Sequence, residues 1–131
     1  MDYERLHVHV EDGIGHVVLN KPDEYNRMPP AFWRELPAAI RALDASGEVR
    51  VAIISSTGKH FSAGLDISSF GSDRQRPPDP GRAGEQARRH LEQMQATIST
   101  LEQARMPVIA AIQGGAVGGG VDLAAACDLR Y

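Results

Sequence analysis

Cys127 is the one cysteine of this 131-residue chain, so neither a disulfide framework nor a cysteine-rich metal cluster can be built from it. No excess of basic residues is present. Fourteen lysines and arginines face seventeen acids, a net charge of −3, and the cations are scattered, which argues against a nucleic-acid surface. The longest apolar runs are far too short to cross a bilayer, so no membrane partner is expected. Met1-Asp2-Tyr3-Glu4 is acidic and lacks the apolar core of a signal peptide, and with a single thiol this predicts a reducing, cytoplasmic setting. The nucleotide-binding and hydrolase signatures are missing too. There is no G-x-G-x-x-G, no glycine-lysine P-loop, no G-x-S-x-G elbow and no H-E-x-x-H. His7 and His9 share one strand face, but no third ligand stands near them in sequence, so no metal site is expected.

With 42% hydrophobic residues, the chain reads as one globular domain at most, large enough to bury a working core. Leu6-His7-Val8-His9-Val10 alternates with period two, placing Leu6, Val8 and Val10 on one face. Residues 11–15 turn it, and 16–19 return as the partner strand. Pro22 breaks the chain into a loop. A helix from about Pro30 to Leu43 follows, with Phe32, Leu36, Ala39, Ile40 and Leu43 as its buried stripe. Pro37 is expected to kink or shorten it. Residues 51–56 are apolar on both faces, which predicts a buried strand. Gly71 to Gly84 offers nothing apolar to bury and reads as a mobile loop. Leu91, Met94, Ile98 and Leu101 then mark a helix from about Gly84 to Ala104, stopped by Pro107 before a strand over 108–112.

Two strand-to-helix turns carry the chemistry-bearing residues. The first is Ser62-Ala63-Gly64-Leu65-Asp66, in which Asp66 can cap a short helix and the N–H near Leu65 is left exposed. The second is Gly114-Gly115-Ala116-Val117-Gly118-Gly119-Gly120-Val121-Asp122, where five of nine residues are glycine. Glycine permits left-handed backbone and close approach of a ligand. The free N–H groups that open a helix can receive an anion or a developing oxyanion. Asp122, one turn into that helix, can act on whatever those groups hold. Packing and turn chemistry alone also account for glycines before a helix, and the helix dipole alone also favours a first-turn acid.

Three stretches carry a family resemblance: Leu19-Asn20-Lys21-Pro22 through Met28; Phe61-Ser62-Ala63-Gly64-Leu65-Asp66-Ile67; and Pro107 through Leu123. Together they resemble the N-terminal half of the crotonase (enoyl-CoA hydratase/isomerase) superfamily, across essentially the whole chain. The resemblance implies an α/β fold, a spiral of ββα units that is incomplete at the C-terminus, with residues 1–131 forming the N-terminal part of an acyl-CoA-binding domain. It implies an acyl-CoA thioester substrate, no cofactor beyond the coenzyme A of that substrate, and a homotrimer or homohexamer. The backbone N–H groups of Leu65 and Gly119 would hold the thioester oxygen as it becomes an enolate, and residues Ala63, Gly64, Leu65, Asp66 and Ile67 would line the acyl-CoA path. Hydratases of the family carry glutamate where this chain has Asp122. That aspartate, with Phe32-Trp33-Arg34-Glu35, looks most like the dienoyl-CoA isomerase branch, where Asp122 would be one general acid/base and a later glutamate, beyond Tyr131, the other. Enoyl-CoA hydration is the runner-up. A non-catalytic acyl-CoA-binding or assembly subunit is the other class.

Overall fold

A computed structural model of the chain describes residues 2–66 and 77–131. The elements are β1 (Leu6–Glu11), β2 (Ile14–Leu19), a 3₁₀ turn (Pro22–Glu24), α1 (Pro30–Ser46), β3 (Val51–Ser56), α2 (Pro80–Gln103), β4 (Val108–Ala110), α3 (Gly119–Ala126) and β5 (Leu129–Arg130). The strands form one sheet in the order β1-β2-β3-β4-β5. β1 and β2 are an antiparallel hairpin; each later strand joins in parallel through a helical crossover. Because β3 and β4 are parallel, the segments that leave them emerge at the same end of the sheet, where ligands bind in open α/β sheets.

The hairpin turn is tighter than the sequence suggested. Asp12 and Gly13 alone make it, both with positive φ (51° and 79°). This Asp-Gly pair matches the mirror-image two-residue turn whose twist suits a hairpin. The strands consequently extend to Glu11 and start at Ile14, and Val10 lies near the tip of an edge strand opposite Gly15, 45% exposed rather than buried with Leu6.

One face of the sheet carries the core. Val17, Leu19, Ala52, Ile54, Val108 and Ala110 are buried against Phe32, Leu36 and Ile40 of α1 and Leu101 of α2. Burying a side chain of this size stabilises by about 1.5–3 kcal/mol. Val51 and Ile53 point to the other face and are only half-buried, so β3 is buried on one side, not two.

α1 runs unbroken through Pro37 to Ser46 and ends at Gly47, whose φ of 73° supplies the left-handed cap. A proline at position 37 cannot donate to the carbonyl of Trp33. The Thr97 hydroxyl of α2 lies 3.1 Å from that carbonyl and 3.0 Å from the Gln93 carbonyl, so it can replace the missing donor. The expected shortening does not occur.

α2 begins at Pro80, four residues before the expected Gly84. Asp79 caps it by accepting from the Gly81 and Arg82 N–H groups, and Pro80 occupies the first turn, where no donor is needed. The mobile loop expected from Gly71 is therefore helix at its end, and its residues 71–76 lie outside the described residues. Leu101 is fully buried, Met94 and Ile98 are half-buried, and Leu91 is 55% exposed, so only the C-terminal part of the predicted stripe meets the core. Among the described residues no helix is long and apolar enough to cross a membrane.

Candidate functional site

The first turn is built around Ser62, which is fully buried. Its backbone bridges the second turn: Ser62 N–H donates to the Gly115 carbonyl (3.2 Å) and its carbonyl accepts from Val117 N–H (3.0 Å). Its hydroxyl donates to the Asn26 carbonyl (2.8 Å) and accepts from Gly64 N–H (3.0 Å). Asn26 is itself buried, with φ of 52°, and its amide clasps the loop from within. Its Oδ1 accepts from Lys21 N–H, and its Nδ2 donates to the carbonyls of Thr57 (2.8 Å) and His60 (3.2 Å).

Leu65 is held by a parallel bridge to Met28. Met28 N–H donates to the Gly64 carbonyl (2.9 Å), and the Met28 carbonyl accepts from Asp66 N–H (3.4 Å). Such a bridge uses the peptide groups on either side of Leu65 and turns Leu65's own N–H the other way. That other side is where α3 begins. A Cβ built on Gly119 would lie 3.7 Å from Leu65 N, and one built on Gly64 would lie 3.0 Å from Gly119 N and 2.5 Å from the Val117 carbonyl. Gly64, with φ of 87°, thus needs to be glycine on two counts: conformation and space.

Gly119 opens α3 behind Gly118, whose φ is 54°. The preceding strand-to-turn step is held by His60: Gly115 N–H donates to His60 Nδ1 (2.8 Å), which makes Nε2 the protonated nitrogen. Gly114 passes so close to His60 that a Cβ there would sit 2.1 Å from the Lys59 carbonyl. Among the described residues, neither Leu65 nor Gly119 donates its N–H to a protein acceptor. Two free backbone donors on adjoining turns, fixed by buried hydrogen bonds, are a pair that can stabilise a developing oxyanion without reorganising.

The remaining expected site residues fall around this pair. Gly64 is buried, Ala63 is exposed with its N–H donated to the Tyr25 carbonyl (2.9 Å), and Leu65 is half-buried. Asp66 is half-buried and pairs with Arg27 at 3.6 Å. The short helix that Asp66 was expected to cap, and Ile67 with it, lie outside the described residues. Asp122 is in the first turn of α3, its N–H donating to the Gly118 carbonyl (3.3 Å), and its side chain is exposed. Val117 (59%) and Val121 (52%) are exposed as well. Asn26, Ser62 and His60 act on the donors only through other groups. Sequence reasoning left them without a role because their partners lie tens of residues away.

Cys127 ends α3 and is buried, its Sγ donating to the Leu123 carbonyl (3.3 Å). Burial, with Asp128 beside it, pushes the thiol up to about 11. It packs as a small hydrophobe.

A sheet whose glycine-lined turns offer two paired N–H donors defines a class, and comparison with known proteins gives the family. The chain belongs to the enoyl-CoA hydratase/isomerase family, whose profile matches residues 9–131. It is 42% identical to a peroxisomal Delta(3,5)-Delta(2,4)-dienoyl-CoA isomerase of Arabidopsis thaliana, over 98% of this chain and 47% of that protein. It is 39% identical to the mitochondrial enzyme of that name from Rattus norvegicus, over 99% of this chain and 41% of that protein. A crystal structure described as an enoyl-CoA hydratase/carnithine racemase from Magnetospirillum magneticum superposes with a TM-score of 0.84 at 33% identity, over 98% of this chain and 46% of that one. The crotonase-like α/β fold is thereby established. The chain spans less than half the length of the relatives it matches.

Proposed function

We propose that this chain is the part of an acyl-CoA isomerase that carries the oxyanion site, and that the protein converts a 3,5-dienoyl-CoA to the 2,4-dienoyl-CoA. The juxtaposition of the Leu65 and Gly119 amides supports the reading most directly. In this reading the thioester oxygen sits between the two N–H groups. A carboxylate removes a proton from the carbon next to the carbonyl, and the electron pair moves onto that oxygen as an enolate conjugated with both double bonds. An acid then returns a proton at the far end of the conjugated system, so composition is unchanged and two double bonds have moved. Asp122 is one of these groups. The second is a carboxylate expected beyond Tyr131. Ala63, Gly64, Leu65, Asp66 and Ile67 line the acyl-CoA path.

Residues 1–131 then form the N-terminal part of one acyl-CoA-binding domain. It needs no cofactor beyond the coenzyme A of the substrate, and neither nucleic acid nor membrane as a partner. Assembly as a homotrimer or homohexamer, and a cytoplasmic setting, belong to the same proposal. The two isomerase relatives carry peroxisomal and mitochondrial in their names.

Hydration of an enoyl-CoA is the second reading, favoured by the likeness to a structure described as a hydratase. Incubating the full-length protein with a 3,5-dienoyl-CoA and following the ultraviolet band of the 2,4-diene separates them. Appearance of that band, lost in Asp122→Asn with acyl-CoA binding retained, supports isomerisation. Turnover of a 2-enoyl-CoA without it supports hydration. Binding without either reaction supports a non-catalytic acyl-CoA subunit.

A further inference from the structure

Of the two strand histidines, His9 meets further ligand atoms along and across the hairpin, from Glu11 and His16, and His7 is not one of the set. The Asp12-Gly13 turn sets the register so that His9 pairs with His16, and Glu11 lies two residues along β1 on the same face. The His9 and His16 rings stack with centroids 4.6 Å apart and planes 8° from parallel. A ligand nitrogen from each histidine and a carboxylate oxygen of Glu11 all lie within 4.8 Å of one another. None of these three side chains makes a hydrogen bond or ion pair among the described residues. They are exposed or half-buried, so nothing holds them away from a common ligand.

We propose that His9, Glu11 and His16 bind a divalent transition metal, zinc being the best match. Two imidazoles and one carboxylate suit zinc, with metal–ligand distances of about 2.0–2.2 Å and a fourth, open position. Ligands in a tetrahedron of that size stand about 3.4 Å apart, so the donor atoms close by up to about 1.4 Å, which side-chain rotation supplies. The ligands come from two strands, one of them the sheet edge, so the ion clips β1 to β2. The hairpin tip lies at the end of the sheet opposite the Leu65 and Gly119 turns, because β2 and β3 run parallel from it towards them. The site is therefore separate from the acyl-CoA chemistry, and its existence does not depend on the function proposed above.

Calorimetric titration of untagged, chelator-stripped full-length protein with zinc chloride tests it. One equivalent is expected to bind and to raise the melting temperature. His9→Ala and His16→Ala should each weaken binding at least tenfold and abolish the thermal shift, with their metal-free melting temperatures close to that of the parent. A readout without substitution is cobalt(II), which should broaden the ring resonances of His9 and His16 selectively. No zinc binding by the parent protein, or one-equivalent binding that both variants leave unchanged, overturns the proposal.

Discussion

The two turns that meet at Leu65 and Gly119 deliver the same thing, one outward N–H each, by different means. The Leu65 turn is held by side chains: Ser62 and Asn26, both buried, tie it to a loop some 36 residues upstream by hydrogen bonds. The Gly119 turn is held mostly by backbone freedom, with positive φ at Gly114 and Gly118 and one side-chain brace from His60. A turn fixed by buried polar groups is rigid as long as every partner is satisfied. One fixed by glycine conformation is rigid as long as no Cβ intrudes. The Leu65 turn should therefore fail through lost hydrogen bonds, and the Gly119 turn through added atoms. Gly64 is where both failures coincide.

Gly64→Ala should have the largest effect. It places a methyl 2.5 Å from the Val117 carbonyl and forces an alanine to φ of 87°. We expect a fall in kcat/KM of about 10²–10³-fold, the usual cost of a lost oxyanion donor, and a loss of stability on the order of 1–3 kcal/mol. Steady-state kinetics and urea unfolding on the full-length protein read both.

Ser62→Ala tests the polar half of the comparison. It removes a buried hydroxyl and leaves the Gly64 N–H without its acceptor, at a cost of about 1–3 kcal/mol. Activity should fall with stability, and faster amide exchange at Gly64 than at Gly119 would show that the hydroxyl braces the first turn while the Ser62 backbone bonds to Gly115 and Val117 stay in place.

Gly119→Ala should separate function from folding. Its methyl meets the flexible Met28 side chain at 2.9 Å, which can move, and lies 3.7 Å from Leu65 N, where the oxyanion is proposed to sit. The melting temperature should shift less than in Gly64→Ala while kcat still falls clearly.

The smallest effect concerns the far end of the helix that Gly119 opens. Burial raises the Cys127 thiol from 9.0 to about 11. The folded state therefore keeps its proton where the unfolded chain has lost it. Its contribution to stability is intact below pH 9.0 and fades as pH rises towards about 11. Thermal melts across this window should show the decline, reduced in Cys127→Ala, and alkylation of the folded thiol at neutral pH should be slow.

Both turns were legible in the sequence because glycines and small residues directly after apolar strands mark tight strand-to-helix turns, and because their motifs resemble a known family. Pairing across the fold was not. Pro37 looked like a helix breaker because its compensating donor, Thr97, lies 60 residues away. Asp79 and Pro80 form a helix cap, yet stood inside a polar run with no apolar periodicity to announce it. His9 was grouped with His7 rather than with His16 because the Asp12-Gly13 register that sets His16 against His9 is a property of the hairpin, not of either strand. Local backbone chemistry could be read residue by residue. Contacts between distant segments required the fold.

The central claim is that the Leu65 and Gly119 amides share one oxyanion. Amide NMR of ¹⁵N-labelled full-length protein tests it most directly, titrated with an unreactive acyl-CoA thioester and with the matching thioether, which lacks the carbonyl oxygen. Both amide protons should move downfield with the thioester and not with the thioether. Two amides that stay unmoved, or that respond equally to both ligands, would contradict it.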